Sequence, residues 1–384
     1  MQYRCLENRS CQRCHFGDTI GVIAQAAALG SLPIPLPGNA RGDVMANVEL
    51  RPVVHVDNEW RRWIAENLLL EAAPQSIYMQ MLQAGIPHEE SVAELQQAMT
   101  SPYLLGAQRL RNRIAKHDWV LETQRHMNRL RDANVPRRHM LSREEFLDAY
   151  YTAGRPVIIT GMMDDWPAMN KWGFDYFKQR CGDREVEIQF GRDTDAQYEL
   201  RKTAHRKTML FGDYVDMVRS AGCSNDFYMT AYNEGKNCTA LAELWQDIVQ
   251  LPAYLNGNGP TQGFLWFGPA GTITPFHHDL TNNFMAQVMG RKRILLMQAC
   301  EIAHVYNHEH CFTHVDGRQI DLQRYPHMTD VQVLSCTLNP GEVLFLPVGC
   351  WHFVEGLEVS ATVSFTNFLW DNDFTAEYPQ QQAF

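Results

Sequence analysis

The sequence predicts a mainly β protein with helical additions, and three observations carry that expectation. From Gly263 onward, Phe264–Phe267, Asn283–Val288, Ile294–Met297, Val333–Leu338, Glu342–Leu346 and Val359–Phe368 are short, rich in β-branched and aromatic residues, and divided by Gly, Pro and Asn. Many short strands at this spacing argue for a sandwich or jelly-roll barrel. Between Asn58 and Asp132, by contrast, apolar residues recur at the three-to-four spacing of helices. Third, 45% hydrophobic and 20% charged residues over 384 positions supply enough apolar material to close a substantial core.

Taken in order, the elements begin with a cluster of Cys5, Cys11, Cys14 and His15, the last three within Cys-Gln-Arg-Cys-His. That pattern matches both c-type haem attachment and half of a zinc site, which needs four ligands. Thr19 to Gly30 has some character of a signal-peptide core, yet it falls far short of the ~20 apolar residues needed to span a membrane. Cleavage behind it would also remove the Cys pair. The expectation is therefore a cytoplasmic protein with no membrane association. Pro33, Pro35, Pro37, Gly38 and Gly42 make residues 31–55 an extended arm or linker, because Pro removes backbone donors and Gly adds chain entropy. The arm and linker are assigned to residues 1–56 and a helical segment to 57–135.

In that segment Trp60, Trp63, Ile64, Asn67 and Leu68, then Ile77, Met81 and Leu82, then Leu104, Leu110, Ile114 and Leu121 define apolar faces. Pro74, Gly85 to Pro87 and Pro102 cut it into three or four helices. It carries no chemical cluster, and its expected roles are scaffold, peptide dock, barrel cap or homodimer interface. The third domain, 136–384, opens with Ser142 and Glu145, a capping box for a helix through Tyr151. Arg155-Pro-Val-Ile-Ile-Thr160 follows as a short buried strand.

The net charge of −10 argues against broad nucleic-acid binding, which requires a dense basic footprint. Cys181, Cys223, Cys238, Cys300, Cys311, Cys336 and Cys350 lack regular spacing and read as buried free thiols. Chemistry concentrates instead in Thr274-Pro-Phe-His-His-Asp279. On a strand, residues i and i+2 share a face, so His277 projects with Asp279 while His278 points away. A second segment, Asn339-Pro-Gly-Glu-Val-Leu-Phe-Leu-Pro-Val-Gly-Cys-Trp-His352, reads as a strand whose end delivers His352 to the mouth of a cavity. Two His and one carboxylate form the facial triad that leaves coordination positions open on non-haem iron. Trp266 and Trp351 read as core.

These segments resemble the Jumonji-C and cupin-like 2-oxoglutarate oxygenases, in particular the subgroup that includes the asparaginyl hydroxylase factor inhibiting hypoxia-inducible factor. The resemblance spans roughly Ser142 to Trp370. It rests on Arg155-Pro-Val-Ile-Ile, Asp165-Trp-Pro-Ala168 with Lys171-Trp172, Met209 to Val215, and the long block from Thr274 to Arg293.

It implies a double-stranded β-helix, a cupin-like jelly-roll barrel, with Fe(II) held by His277, Asp279 and His352. It further implies 2-oxoglutarate as cosubstrate, its distal carboxylate meeting Lys292, Thr274 and Tyr228, with Asn283 and Asn367 on the near side. Tyr232 competes with Tyr228. Strand alternation lets Lys292 enter the barrel while Arg291 and Arg293 stay wet. The implied activity is an O2-dependent dioxygenase, hydroxylating rather than demethylating, on a peptide, protein or amino-acid-like substrate. Its alternatives are a non-catalytic cupin-like binding module and a metal-dependent cupin enzyme that uses no 2-oxo acid.

Overall fold

The computed structural model describes residues 53–231, 235–249, 251–257 and 263–379. The Cys5 to His15 cluster, the Thr19 to Gly30 run, nearly all of the linker and Tyr232 lie outside the described residues. The chain divides into two compact units, one up to Lys116 and one from His117 onward.

Helices α1 (Asn58–Leu69), α2 (Pro74–Gln83), α3 (His88–Thr100) and α4 (Pro102–Arg129) begin where the Pro and Gly breaks imply. Asp57 caps α1 by accepting the Trp60 N–H at 2.9 Å, which satisfies a donor the first turn leaves free. Trp60, Trp63 and Ile64 of α1 pack with Ile77 and Met81 of α2 and Leu95 of α3 into one small core. Asn67 is buried with them, its amide donating to the Trp63 carbonyl at 2.8 Å. The expected packing of α4 is only partly seen. Leu104 is buried, but Leu110 and Ile114 are exposed. None of the described helices is long and apolar enough to cross a membrane.

The second unit is built from strands β1 (Arg137–His139), β2 (Val157–Thr160), β3 (Glu185–Phe190), β4 (Arg206–Leu210), β5 (Phe227–Tyr228), β6 (Gly263–Gly268), β7 (Ile273–His278) and β8 (Asn283–Met289). It continues with β9 (Lys292–Met297), β10 (Asn307–Glu309), β11 (Phe312–Thr313), β12 (Leu334–Leu338), β13 (Glu342–Leu346), β14 (Trp351–Gly356) and β15 (Ser360–Phe365). One six-stranded sheet runs β1-β2-β13-β8-β15-β6, the other β10-β11-β7-β14-β9-β12, and β4-β3-β5 form a small third sheet. Among the described strands, all pairings are antiparallel except β1 with β2. Consecutive strands β6 to β9 alternate between the two large sheets, and so do β12 to β15. The result is a jelly-roll.

Strand alternation separates the three cores. Ile158, Met285, Ile294, Leu296, Leu344 and Leu346 fill one end of the barrel interior. The opposite parity, including Phe284, Ala286, Val343, Phe345 and Val363, faces outward into the largest core beneath helices Phe174–Cys181 and Phe211–Ser220. Leu295, Met297, Trp351 and Phe353 face outward from the other sheet.

Ser142 Oγ accepts the Glu145 N–H at 3.1 Å, and the helix it caps runs from Arg143 to Phe146 before widening into a π turn through Tyr151. Its Phe146 ring is sealed against Phe284 and Phe345, fixing this helix to the sheet. Buried Asp247 accepts bonds from Lys171, Trp172 and Tyr176 at 2.9, 3.3 and 2.5 Å. The Lys171-Trp172 element is thus structural. Cys181, Cys238, Cys300, Cys311, Cys336 and Cys350 are buried free thiols as expected, whereas Cys223 is exposed at a bridge beside Ala270.

The β8–β9 turn shows how local geometry sets the site. Gly290 has φ +64°, and a Cβ there would lie 2.2 Å from the Val359 carbonyl oxygen. Gly290→Ala is expected to lower the free energy of unfolding by about 2 kcal/mol or more, combining strain with a backbone clash. Urea denaturation checks this; an unchanged midpoint would contradict it.

Candidate active site

A cavity of about 300 Å3 opens at the end of the barrel interior that the apolar core leaves unfilled. His277, Asp279 and His352 share its wall with Lys292, Tyr228, Thr274 and Asn283. One ligating atom from each member of the triad lies within 4.8 Å of the others. His277 Nε2 is 3.7 Å from one Asp279 oxygen, and His352 Nε2 is 3.9 Å from the other. These gaps exceed a hydrogen bond, so the three groups surround a space rather than bonding to one another.

The backbone decides which nitrogens face that space. His277 Nδ1 lies 2.9 Å from the Pro275 carbonyl and His352 Nδ1 lies 3.0 Å from the Cys350 carbonyl. A carbonyl only accepts, so each Nδ1 carries a proton, and it is the Nε2 atoms that face Asp279. Burial, then the neighbouring His277 ring, holds His352 well below the ordinary imidazole range. Burial pushes the other way on Asp279, but the His352 and His277 rings outweigh it and hold this carboxyl below the usual range. A neutral imidazole and an ionised carboxylate are the states that metal ligation needs. On tautomer, charge and spacing, this donor set fits a divalent metal.

Thr274 and His277 have opposite parity along β7, and a regular strand would place them on opposite faces. A bulge reconciles them. Across the ladder, Val354 faces Thr274 and His352 faces His277, so Pro275 and Phe276 together oppose the single Phe353. Pro, which lacks an N–H, is tolerated at such a position. Past the bulge His278 turns away from the cavity, packing on Trp351 and facing the Tyr378 hydroxyl at 3.3 Å. Of the two histidines, His277 lines the cavity and His278 does not. His352 stands at the start of β14, after the Pro347 corner.

Lys292 is 1% exposed, while Arg291 and Arg293 point outward to Glu358 and Glu355. Its Nζ donates to the Tyr228 hydroxyl at 3.0 Å. Burial pushes the Lys292 ammonium down to about 7, and pushes the Tyr228 phenol up, so the tyrosine is neutral. A buried cation supplied with one neutral partner, at the wall of a cavity, has unmet capacity for an anion. Asn283 donates to Asp279 Oδ2 at 3.2 Å, and its own Oδ1 is buried without a hydrogen bond. Asn367 departs from expectation. β15 ends at Phe365, and beyond it Asn367 is drawn to the carbonyls of Asn256 and Gly257, at 3.1 and 3.2 Å, rather than lining the cavity.

Trp266, expected in the core, lines the cavity. Along β6 the even positions Phe264 and Trp266 face inward, and the Trp266 indole donates to Ser364 at 2.8 Å. Thr281, Met285 and Thr366 also line the wall. Period-2 alternation from Leu265 and Phe267, both core residues, was the signal that could have found Trp266.

Residues 142–376 match the family described as the cupin-like domain. The chain belongs to the cupin-like (JmjC) domain family. Lysine-specific demethylase JMJ30 of Arabidopsis thaliana is 34% identical over 249 residues, covering 62% of this chain and 55% of that protein. Lysine-specific demethylase 8 of Xenopus tropicalis is 30% identical over 246 residues, covering 60% and 52%. tRNA wybutosine-synthesizing protein 5 of Gallus gallus is 27% identical over 250 residues, covering 62% and 76%. The chain therefore spans little more than half of the two demethylases. These matches support the family broadly, without singling out the asparaginyl hydroxylase subgroup or hydroxylation over demethylation.

The burial of Lys292 has a measurable cost in the ligand-free protein. Its folded pKa lies below its unfolded value, so the unfolded chain holds the extra proton between about pH 7 and the ordinary lysine range. This group therefore makes stability rise with pH through that window. Lys292→Met is expected to stabilise the ligand-free protein by about 1–4 kcal/mol near pH 6 and by less at pH 9. Chemical denaturation at both pH values checks the sign; a variant less stable than the parent at pH 6 would overturn it.

Proposed function

We propose that this protein is an Fe(II)- and 2-oxoglutarate-dependent dioxygenase that hydroxylates a C–H group of a peptide, protein or amino-acid-like substrate. The observation that carries the reading is the pairing, in one cavity, of the His277, Asp279 and His352 set with the buried Lys292 ammonium. A metal site alone would suit many cupin enzymes. A desolvated cation opposite it calls for an anionic ligand that reaches from one to the other.

In this reading His277 and His352 hold the metal through Nε2 and Asp279 through its carboxylate. Lys292, with the hydroxyls of Tyr228 and Thr274, takes the distal carboxylate of 2-oxoglutarate, and Asn283 orients Asp279. Bound there, iron and 2-oxoglutarate supply oxidation by dioxygen, one oxygen atom going to the substrate C–H and the other to succinate as CO2 departs. The chain's own share is positional. The Pro275 and Cys350 carbonyls fix the two imidazoles, the apolar wall from Phe264, Trp266 and Met285 excludes water, and Lys292 fixes the direction of the cosubstrate.

Demethylation starts with the same C–H step, and several relatives bear names of lysine demethylases. Product mass separates the outcomes: hydroxylation adds one oxygen, whereas demethylation removes a methylene and releases formaldehyde. Hydroxylation is the outcome we favour, from the sequence resemblance.

With Fe(II), ascorbate and dioxygen, the protein is expected to convert 2-oxoglutarate to succinate, and His277→Ala to abolish this conversion. Lys292→Ala should weaken 2-oxoglutarate binding by roughly 100-fold, as loss of a buried charged partner does. Calorimetry and succinate assay provide the measurements. Wild-type protein that neither binds nor turns over 2-oxoglutarate would point to a binding module or to a cupin enzyme of another chemistry.

A further inference from the structure

We infer that Asn282 and Asn372 form a positioning clamp that sets the spacing of the metal-binding edge without touching the metal. The inference rests on the metal reading of His277, Asp279 and His352 given above.

Asn282 is 3% exposed and lies in the bend between Asp279 and β8. Its backbone N–H and its side-chain amide both donate to Asn372 Oδ1, at 2.7 and 2.9 Å. In return the Asn372 amide donates to the Asn282 carbonyl at 2.9 Å and to the Thr366 carbonyl at 2.7 Å. The remaining acceptor, Asn282 Oδ1, takes the Val348 N–H at 2.9 Å. One residue on, the Gly349 N–H donates to the Asp279 carbonyl at 3.1 Å.

Two asparagines thus join three separate stretches of chain. One carries Asp279, the second is the Pro347 to Cys350 corner that precedes His352, and the third is the segment after β15. Asp279 and His352 come from different stretches, and the 3.9 Å gap between their facing atoms follows from how those stretches are tied. An Asn side chain offers two amide donors and an acceptor oxygen on a short stem, which lets it serve two backbones at once. Loss of Asn372 would leave two buried Asn282 donors unsatisfied, which favours relaxation of the bend. Groups that orient ligands in this way commonly change metal affinity by 10–100-fold when removed.

Co(II) is the probe, titrated into the whole protein without dioxygen, with affinity read by calorimetry and coordination by its visible absorption. Asn372→Ala is expected to weaken Co(II) binding by at least about 10-fold and to alter the absorption band. Asn372→Ser, whose hydroxyl can keep one of the bonds, should fall between it and the parent, and it serves where the alanine variant does not fold. Tyr176→Phe, which removes a bond to Asp247 elsewhere in the unit, should lower the melting temperature but leave Co(II) affinity unchanged. If the Asn372 variants bind Co(II) as tightly as the parent, the clamp is wrong and the metal reading stands. If the parent itself binds no Co(II), or His277→Ala leaves its binding unchanged, the metal reading falls and the clamp falls with it.

Discussion

A positive charge sealed inside a β-barrel governs how the barrel is arranged. Lys292 enters an interior whose other end is packed with Ile158, Ile294, Leu296 and Leu344, and it meets one neutral hydroxyl there. Such a group is tolerated because its neighbours, Arg291 and Arg293, keep their charges outside, and because a glycine turn starts β9 at the right point. Desolvation leaves the ammonium poised near neutrality. An anion that enters restores its charge and gains from a low-dielectric surrounding in the same event. Affinity and selectivity for an anionic ligand then have one source.

The His277, Asp279 and His352 set lines the same cavity as that charge, and its order comes from the backbone more than from side-chain contacts. Carbonyls two residues before each histidine choose the tautomer, and the β7 bulge turns Thr274, His277 and Asp279 to one face. A carboxylate held ionised beside the neutral His352 imidazole suits a cation without a rearrangement of protons at those two groups.

The fold was legible where side-chain alternation is simple. Strands β6, β8, β9, β12 and β13 fall within a residue or two of the hydrophobic segments at their turns, because each has one face in a core, while β15 stops three residues short of Phe368. Short strands such as β3, β4 and β5 carry mixed polar residues and were not recognised. Lys292 and the choice of His277 over His278 followed from period-2 reasoning. Thr274 came only through resemblance, since three-residue spacing on a strand says nothing of a shared face until the bulge is known. Asn367 lies just past the end of β15, where alternation stops applying, and its amide turns to the Asn256 and Gly257 carbonyls. Asn282 and Asn372 were invisible: their significance depends on a contact across 90 residues, and an isolated Asn near a strand end reads as a turn residue.

That same contact bears on how the protein is made. Ribosomes release a chain from its N-terminus, so His277 and Asp279 emerge long before His352 and Asn372. β8 cannot find β13 or β15 until some fifty or more later residues have been synthesised. During that interval an incomplete chain exposes isolated ligands with neither their partners nor their tether. On the proposed reading, a nascent chain would be poorly suited to retain metal, and loading would belong to the period after the last strand and its trailing segment have folded back. Assembly of the donor set is coupled in this way to completion of the fold.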